Sequence, residues 1–298
     1  MKNILVTGSI PALVTPFDKD QSIDLVSWKK WVSWHDKQSS RAVVVFGSTG
    51  EGLSLTFSER EMLLATARKN LNSSAMIVGI ASSHTEQAII QANQAKQQGA
   101  QAILLTCPYY VKPDQNGLCQ HYQKISQAVN MPIILYTVPS RTGIDFSEKT
   151  LLTLAHDSNI IGIKDASGKL ERMKELKQVL PNNFIFLGGN DSEIICNLEN
   201  KGDGTISVIA NILPNLIQSI VDNYKANPQW SKGKFNGIRD IIQQIELNGN
   251  PQAIKQMVKS IFSIPSTLRL PLTELEESKQ KDISKCLFEC GLEPEEIG

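Results

Sequence analysis

The spacing of apolar stretches divides the chain into two regimes. From about residue 9 to about residue 225, short runs of aliphatic and β-branched residues alternate with longer amphipathic segments. The short runs predict eight strands: Ile10–Val14, Ala42–Phe46, Met76–Ile80, Ala102–Thr106, Pro132–Tyr136, Ile160–Lys164, Phe184–Leu187 and Thr205–Val208. Successive strands lie about 20 to 34 residues apart, the repeat of a βα unit in a parallel sheet. The helices carry their own cues. Leu25, Trp28, Val32 and His35 form an amphipathic stripe. Ser58-Glu59-Arg60-Glu61 reads as a capping box ahead of Met62-Leu63-Leu64. Thr85, Ser147 and Asp191 are the expected N-caps of the third, fifth and seventh helices. Eight such units over about 220 residues predict a closed (β/α)8 TIM barrel of the α/β class rather than an open sheet. After Lys225 the alternation stops. Asn227-Pro228 breaks the chain, and Ser231–Leu247 and Pro251–Phe262 read as helices. A linker at Ile264–Leu272 leads to a last helix near Ser278–Cys290. The expected organisation is a barrel over residues 1–225 and an all-helical appendage over residues 226–298.

Composition narrows the field. Lys+Arg number 30 and Asp+Glu 30, giving zero formal charge, and 41% of residues are hydrophobic. With no basic block or basic-aromatic stripe, nucleic acid is not expected as a partner. No apolar run approaches the roughly 20 residues of a membrane span. The apolar stretch in Met1–Val6 is too short for a signal peptide. Cysteines 107, 119, 196, 286 and 290 show neither a zinc nor a thioredoxin spacing and read as reduced thiols of a cytoplasmic protein. Histidines 35, 84, 121 and 156 show no metal-ligand spacing, so no metal is expected.

Two glycine motifs are decoys. Ile4–Ser9 resembles the start of a dinucleotide fold, but the following glycines are absent and Pro11 stands where the helix should begin. Gly47-Ser48-Thr49-Gly50-Glu51-Gly52 lacks the Gly-Lys-Ser/Thr ending of a phosphate loop. No Gly-x-Ser-x-Gly elbow is present. The strongest chemical signal is Ile160-Ile161-Gly162-Ile163-Lys164-Asp165, a buried-strand pattern running into a lysine. Desolvation at a strand end disfavours the ammonium form and leaves an amine that attacks carbonyls. Other chemistry-bearing residues collect at the same ends of the strands: Ser48 and Thr49, Tyr109 and Tyr110, Tyr136, Arg141 and Gly188-Gly189.

Three of these stretches carry a resemblance. Gly47–Glu51, Tyr136–Gly143 and Gly162–Gly168 resemble the signatures of the dihydrodipicolinate synthase family, supported by Pro108-Tyr109-Tyr110 and Gly204–Val208. The resemblance runs from Gly8 to the C-terminus. It implies a Schiff base between Lys164 and pyruvate, whose enamine attacks L-aspartate 4-semialdehyde, with no cofactor because the iminium is the electron sink. Tyr136 would be the general acid/base, with Thr49 and Tyr110 completing a proton relay. Tyr110 would reach in from a neighbouring subunit, which implies a homodimer or homotetramer. Arg141 would hold the semialdehyde carboxylate. Ser48, Thr49, Gly189 and Ile206 would surround the substrates. Thr137 and Asn190 depart from the asparagine and aspartate common there.

Sister aldolases such as N-acetylneuraminate lyase or a keto-sugar-acid aldolase share the lysine, the tyrosine and the first signature, but generally lack an arginine like Arg141. A catalytically dead keto-acid-binding barrel would have no use for lysine, threonine and both tyrosines together. In lysine-inhibited relatives the effector site falls on positions held here by Phe57, Arg60, Ser83 and Gln87 beside Tyr109. The resemblance therefore implies weak or absent feedback, with Arg60 placing positive charge near a cationic ligand.

Overall fold

A computed structural model describes residues 6–38, 40–169 and 171–297. Residues 1–5, which include part of the Ile4–Ser9 decoy and of the Met1–Val6 stretch, lie outside it. Eight parallel strands form one sheet: β1 (Gly8–Pro11), β2 (Ala42–Val45), β3 (Ala75–Ile80), β4 (Ala102–Thr106), β5 (Ile133–Thr137), β6 (Ile160–Asp165), β7 (Ile185–Gly188) and β8 (Gly204–Ser207). Their order, β1-β8-β7-β6-β5-β4-β3-β2, is that of a barrel opened between β1 and β2. A bridge between Ala12 and Val44, with Leu13 N–H donating to Val44 O at 2.8 Å, closes it. β1 ends earlier than Ile10–Val14 suggested. Pro11 brings no N–H to the ladder; beyond it Ala12 still donates to Ser207 of β8, and Leu13 has crossed to β2.

The helices are α1 (Leu25–Asp36), α2 (Phe57–Asn70), α3 (Thr85–Gln97), α4 (Gln115–Val129), a single turn α5 (Pro139–Thr142), α6 (Glu148–Ala155), α7 (Arg172–Val179), α8 (Ile194–Glu199) and α9 (Pro214–Asn223). The appendage adds α10 (Pro228–Asn236), α11 (Arg239–Asn248), α12 (Gln252–Phe262) and α13 (Glu277–Glu289). The expected helix over Ser231–Leu247 is thus two helices, broken at Gly237-Ile238. Ser147 caps α6 as expected, accepting from Thr150 N. Three other expectations shift. The capping box of α2 is Thr56 with Glu59, two residues before Ser58. Thr85 is already inside α3, whose N-cap is His84. Asp191 opens a 3-10 turn after β7 and points its carboxylate at the end of β8 instead of capping its own helix.

Two apolar layers result. Ile10, Val44, Ile77, Leu104, Ile134, Leu187 and Ile206 fill the barrel, while alternate strand residues such as Val43, Val45, Val78, Ile103, Ile133 and Ile163 pack outward under the helices. α12 belongs to the outer layer through Ile254, Met257, Val258 and Phe262. It meets α1 where Phe262 stands 5.2 Å from Trp31 and 4.8 Å from Trp34 between ring centroids.

Candidate active site

β6 is a run of apolar residues whose facing cannot be read from alternation. Ile133 of β5 pairs with Ile160, but Ile134 pairs with Gly162, so β6 carries one extra residue, a β-bulge. A slip of one residue turns every later side chain to the opposite face. Ile160 and Ile163 therefore both pack outward, and Lys164, opposite Tyr136, faces the interior with it. Gly162 suits the bulge because a Cβ there would stand 2.5 Å from Ile185 O. Lys164 and Tyr136 are both buried, and the Lys164 Nζ lies 4.3 Å from the centroid of the Tyr136 ring.

Tyr136 and Arg141 open onto a cavity of about 430 Å³ at the C-terminal ends of the strands. Gly47, Ser48, Thr106 and Tyr109 share its wall, and Arg269 to Leu272 of the appendage close another side. Arg141 lies in α5, directly after β5, and is exposed to the cavity. Its Nη2 donates to Asn250 O at 3.1 Å, and Asn250 Nδ2 donates to Thr49 Oγ1 at 3.0 Å. Asn250 thus ties the loop after β2 to the arginine after β5. Accepting from Asn250 through one lone pair, the buried Thr49 hydroxyl keeps its own proton to donate. Sequence reading missed Asn250. Its only signal was a polar Asn-Gly-Asn-Pro turn immediately before a helix.

The remaining expected residues fall around this group. Ser48 is exposed at the rim, Ile206 is buried in the barrel interior, and Gly189 N–H donates to Asp165 O at 2.7 Å. Asp191, buried nearby, accepts from Val208 N at 2.9 Å and Ile209 N at 2.7 Å, which pins the end of β8. Burial raises its carboxyl above the ordinary value, against the opposing pull of those hydrogen bonds and of the Lys164 charge. Thr137 turns away from the cavity and donates to Asp145 Oδ1 at 2.7 Å, and Asp145 is paired with Arg172. Tyr110 stands apart: 90% exposed and at φ +71°, it does not touch the cavity of its own chain. Arg60 corrects an expectation. It points inward, donating to Gly52 O at 3.4 Å and Gly79 O at 3.3 Å beneath the Phe46 ring, and burial pushes it down to about 10. Its charge is not offered at the surface. Among the described residues no cluster of three or more His, Cys, Asp or Glu could hold a metal.

The sequence model of the dihydrodipicolinate synthetase family matches residues 5–289. The 4-hydroxy-tetrahydrodipicolinate synthase of Alcanivorax borkumensis is 34% identical over 293 residues, 97% of this chain and 99% of that protein. The synthase of the same name from Nitrosomonas europaea is 36% identical over 291 residues, again 97% and 99%. Among solved structures, the chloride-inhibited dihydrodipicolinate synthase of Acinetobacter baumannii complexed with pyruvate superposes with a TM-score of 0.92 at 36% identity, covering 96% of this chain and 99% of that one. The Aquifex aeolicus dihydrodipicolinate synthase superposes with a TM-score of 0.93 at 29% identity, covering 97% and 99%. A full-length match, a barrel of the same shape and a buried lysine–tyrosine pair in register at the C-terminal ends of adjacent strands agree: the chain belongs to the dihydrodipicolinate synthetase family.

Proposed function

We propose that the protein is a lyase-class enzyme that condenses pyruvate with L-aspartate 4-semialdehyde to give 4-hydroxy-tetrahydrodipicolinate, the first committed step of diaminopimelate and lysine biosynthesis. The observation that carries this reading is the Lys164–Tyr136 pair, inward-facing and in register on adjacent strands, with Tyr136 and Arg141 lining one cavity. The Lys164 amine attacks the pyruvate carbonyl carbon; loss of water gives an iminium. The iminium accepts the electron pair left when a methyl proton departs, and the resulting enamine carbon bonds to the aldehyde carbon. Tyr136, beside the nitrogen, moves protons at the imine. Thr49, held by the hydrogen bond it accepts from Asn250, passes its own proton toward Tyr136. Arg141, a guanidinium fork at the cavity wall, receives the semialdehyde carboxylate. Ser48, Gly189 and Ile206 shape the pyruvate end.

Tyr110 takes the outer place in the relay from a second copy of the chain, which its outward ring supports. The working unit is therefore a homodimer or a homotetramer. We assign the chemistry to the barrel over residues 1–225 and the support of its rim to the appendage over residues 226–298. Among the described residues no helix is long and apolar enough to cross a membrane; we place the enzyme in the cytoplasm, where its substrates arise. The test is a coupled assay with pyruvate and aspartate semialdehyde beside one with N-acetylneuraminate, plus borohydride trapping of pyruvate read by mass spectrometry. Turnover of the semialdehyde with an adduct on Lys164 is expected. Turnover of N-acetylneuraminate alone, or an adduct on another lysine, overturns the reading.

A further inference from the structure

The loop that carries Ser48 and Thr49 is held by a charge from the far end of the chain. Glu51 closes this loop in the left-handed region, φ +50° and ψ 37°, a conformation a non-glycine residue keeps only when its surroundings impose it. Its backbone N–H returns to Ser48 O at 3.2 Å, and its carbonyl accepts from Ser54 N and Oγ at 2.9 and 2.8 Å. Gly52 follows so closely that a Cβ would stand 2.0 Å from Phe46 O. The turn from Ser48 to Glu51, with Thr49 inside it, therefore moves with Glu51.

The Glu51 carboxylate is held from the appendage. Lys255 Nζ, from α12, lies 2.5 Å from Oε1, and the Arg269 backbone N–H donates to Oε2 at 3.2 Å. Lys255 also donates to Thr267 O at 2.7 Å, and its Nζ stands 4.2 Å from the centroid of Phe17, as the Arg269 guanidinium does at 4.4 Å. The side chains of Lys255 and Glu51 are 1% and 2% exposed, the most enclosed ion pair among the described residues. Such a pair offers little stability, because the cost of desolvating two charges offsets their attraction; apolar side chains of the same volume would serve the core as well. What a buried pair does supply is a fixed position for each partner.

We propose that Lys255 is a positioning residue for the reaction: from the appendage it fixes Glu51, and through Glu51 the turn that presents Thr49 to Tyr136. The inference rests on the role given above to Thr49. It accounts for a lysine on a helix otherwise packed through Ile254, Met257 and Val258, and it makes α12 part of the machinery rather than packing alone.

The test uses the full chain carrying Lys255→Met, the double variant Lys255→Met/Glu51→Gln, which leaves no lone buried charge, and Thr49→Val alone and combined with each. In both Lys255 variants the borohydride-trapped pyruvate adduct on Lys164 is expected to form normally. kcat is expected to fall roughly 10- to 100-fold, the effect of displacing a group near the reacting atoms by about an ångström. In the Thr49→Val background the same changes should cost less than about twofold more, because both act through one hydroxyl. A folded double variant with parental kcat overturns the proposal, and so do losses that multiply in the Thr49→Val background. Where the neutral variants lose their fold, Lys255→Arg, which keeps the charge but displaces Glu51, carries the test: reduced kcat with the adduct intact supports the proposal, and parental kcat overturns it. Thr49→Val with parental kcat would overturn the role of Thr49 and this inference together. A crippled Thr49→Val beside a fully active double variant overturns this inference alone.

Discussion

The two walls of the cavity are built by different means. On the β5–β6 side, Tyr136 of the wall and Lys164 beside it face each other because neighbouring strands pair in a set register, and everything that places them lies within one βαβ unit. On the β2 wall, Thr49 sits in an irregular loop held by Asn250, 201 residues away, and by Arg269, 218 residues from Glu51. Strand register is enforced by many backbone hydrogen bonds at once, so no single side chain decides it. A loop fixed by a few long-range side-chain contacts has no such redundancy. The lysine wall should therefore keep forming the imine under most distant changes, whereas the threonine wall should respond to substitutions far from the chemistry.

The largest expected effect is Lys164→Ala, which should remove both turnover and the trapped pyruvate adduct, since Lys164 is the amine in register beside Tyr136; residual adduct on a neighbouring lysine would break the distinction. Arg141→Ala comes next. It should leave the adduct intact and lower kcat/KM for the semialdehyde about 10- to 150-fold, the worth of a charge-assisted contact of about 1.5–3 kcal/mol. Because Arg141 also donates to Asn250, part of that loss should reach kcat; an effect confined to pyruvate saturation would reverse the assigned roles. Tyr110→Phe should lower kcat about 100-fold with the fold unchanged, the low side of what a proton-transfer group contributes. Mixed oligomers of Lys164→Ala and Tyr110→Phe subunits should regain activity, and verified mixtures that stay inactive would place Tyr110 outside the relay.

The contact between α1 and the appendage should also weaken in acid. His35 of α1 lies in the ring cluster of Trp31 and Trp34 that meets α12, and neither ring nitrogen has a partner. Burial alone pushes it down to about 3. A base depressed in the folded state is neutral there while the unfolded chain gains a proton. Its contribution is thus complete above the ordinary value near 6.5 and is lost at about 1.4 kcal/mol per pH unit as pH falls, levelling near 3. His35→Leu should flatten the dependence of the urea midpoint on pH between about 6.5 and 4; an unchanged slope would remove His35 from the account. The smallest expected effect is that of L-lysine. Arg60 is committed inward beneath the β2 loop, and Gln87 is neutral and exposed. An initial-rate titration at subsaturating pyruvate should show no half-inhibition below about 1 mM, a binding free energy near 4 kcal/mol; tighter inhibition would mean that the loop side accepts a cationic effector after all.

All eight strands and the order of the helices were legible because hydrophobic spacing reports local periodicity. The places of Lys164 and Tyr136 at strand ends and of Arg141 just beyond one were legible because such residues stand out against apolar runs. Misreadings sit where a side chain answers to something remote. Asp191 reads as a cap, yet its carboxylate holds the end of β8. Arg60 reads as a surface charge, yet two backbone carbonyls draw it beneath the loop. Thr56 rather than Ser58 caps α2 because its backbone N–H donates to Glu59 Oε2 at 2.8 Å while its hydroxyl accepts from Glu59 N at 3.2 Å.

By itself, then, the sequence determined the barrel, the helical tail and the presence of a lysine at the end of an apolar strand, each written in neighbouring residues whose spacing is a local property. Only the tertiary structure decided which way that lysine faces. Ile160 to Lys164 is apolar on both sides of the strand, and the bulge opposite Ile133 and Ile134, visible only once β5 and β6 are paired, turns Lys164 inward to Tyr136. It also decided what holds Thr49. The partners Asn250, Lys255 and Arg269 reach the β2 loop by chain folding, and no local pattern encodes a contact across 200 residues.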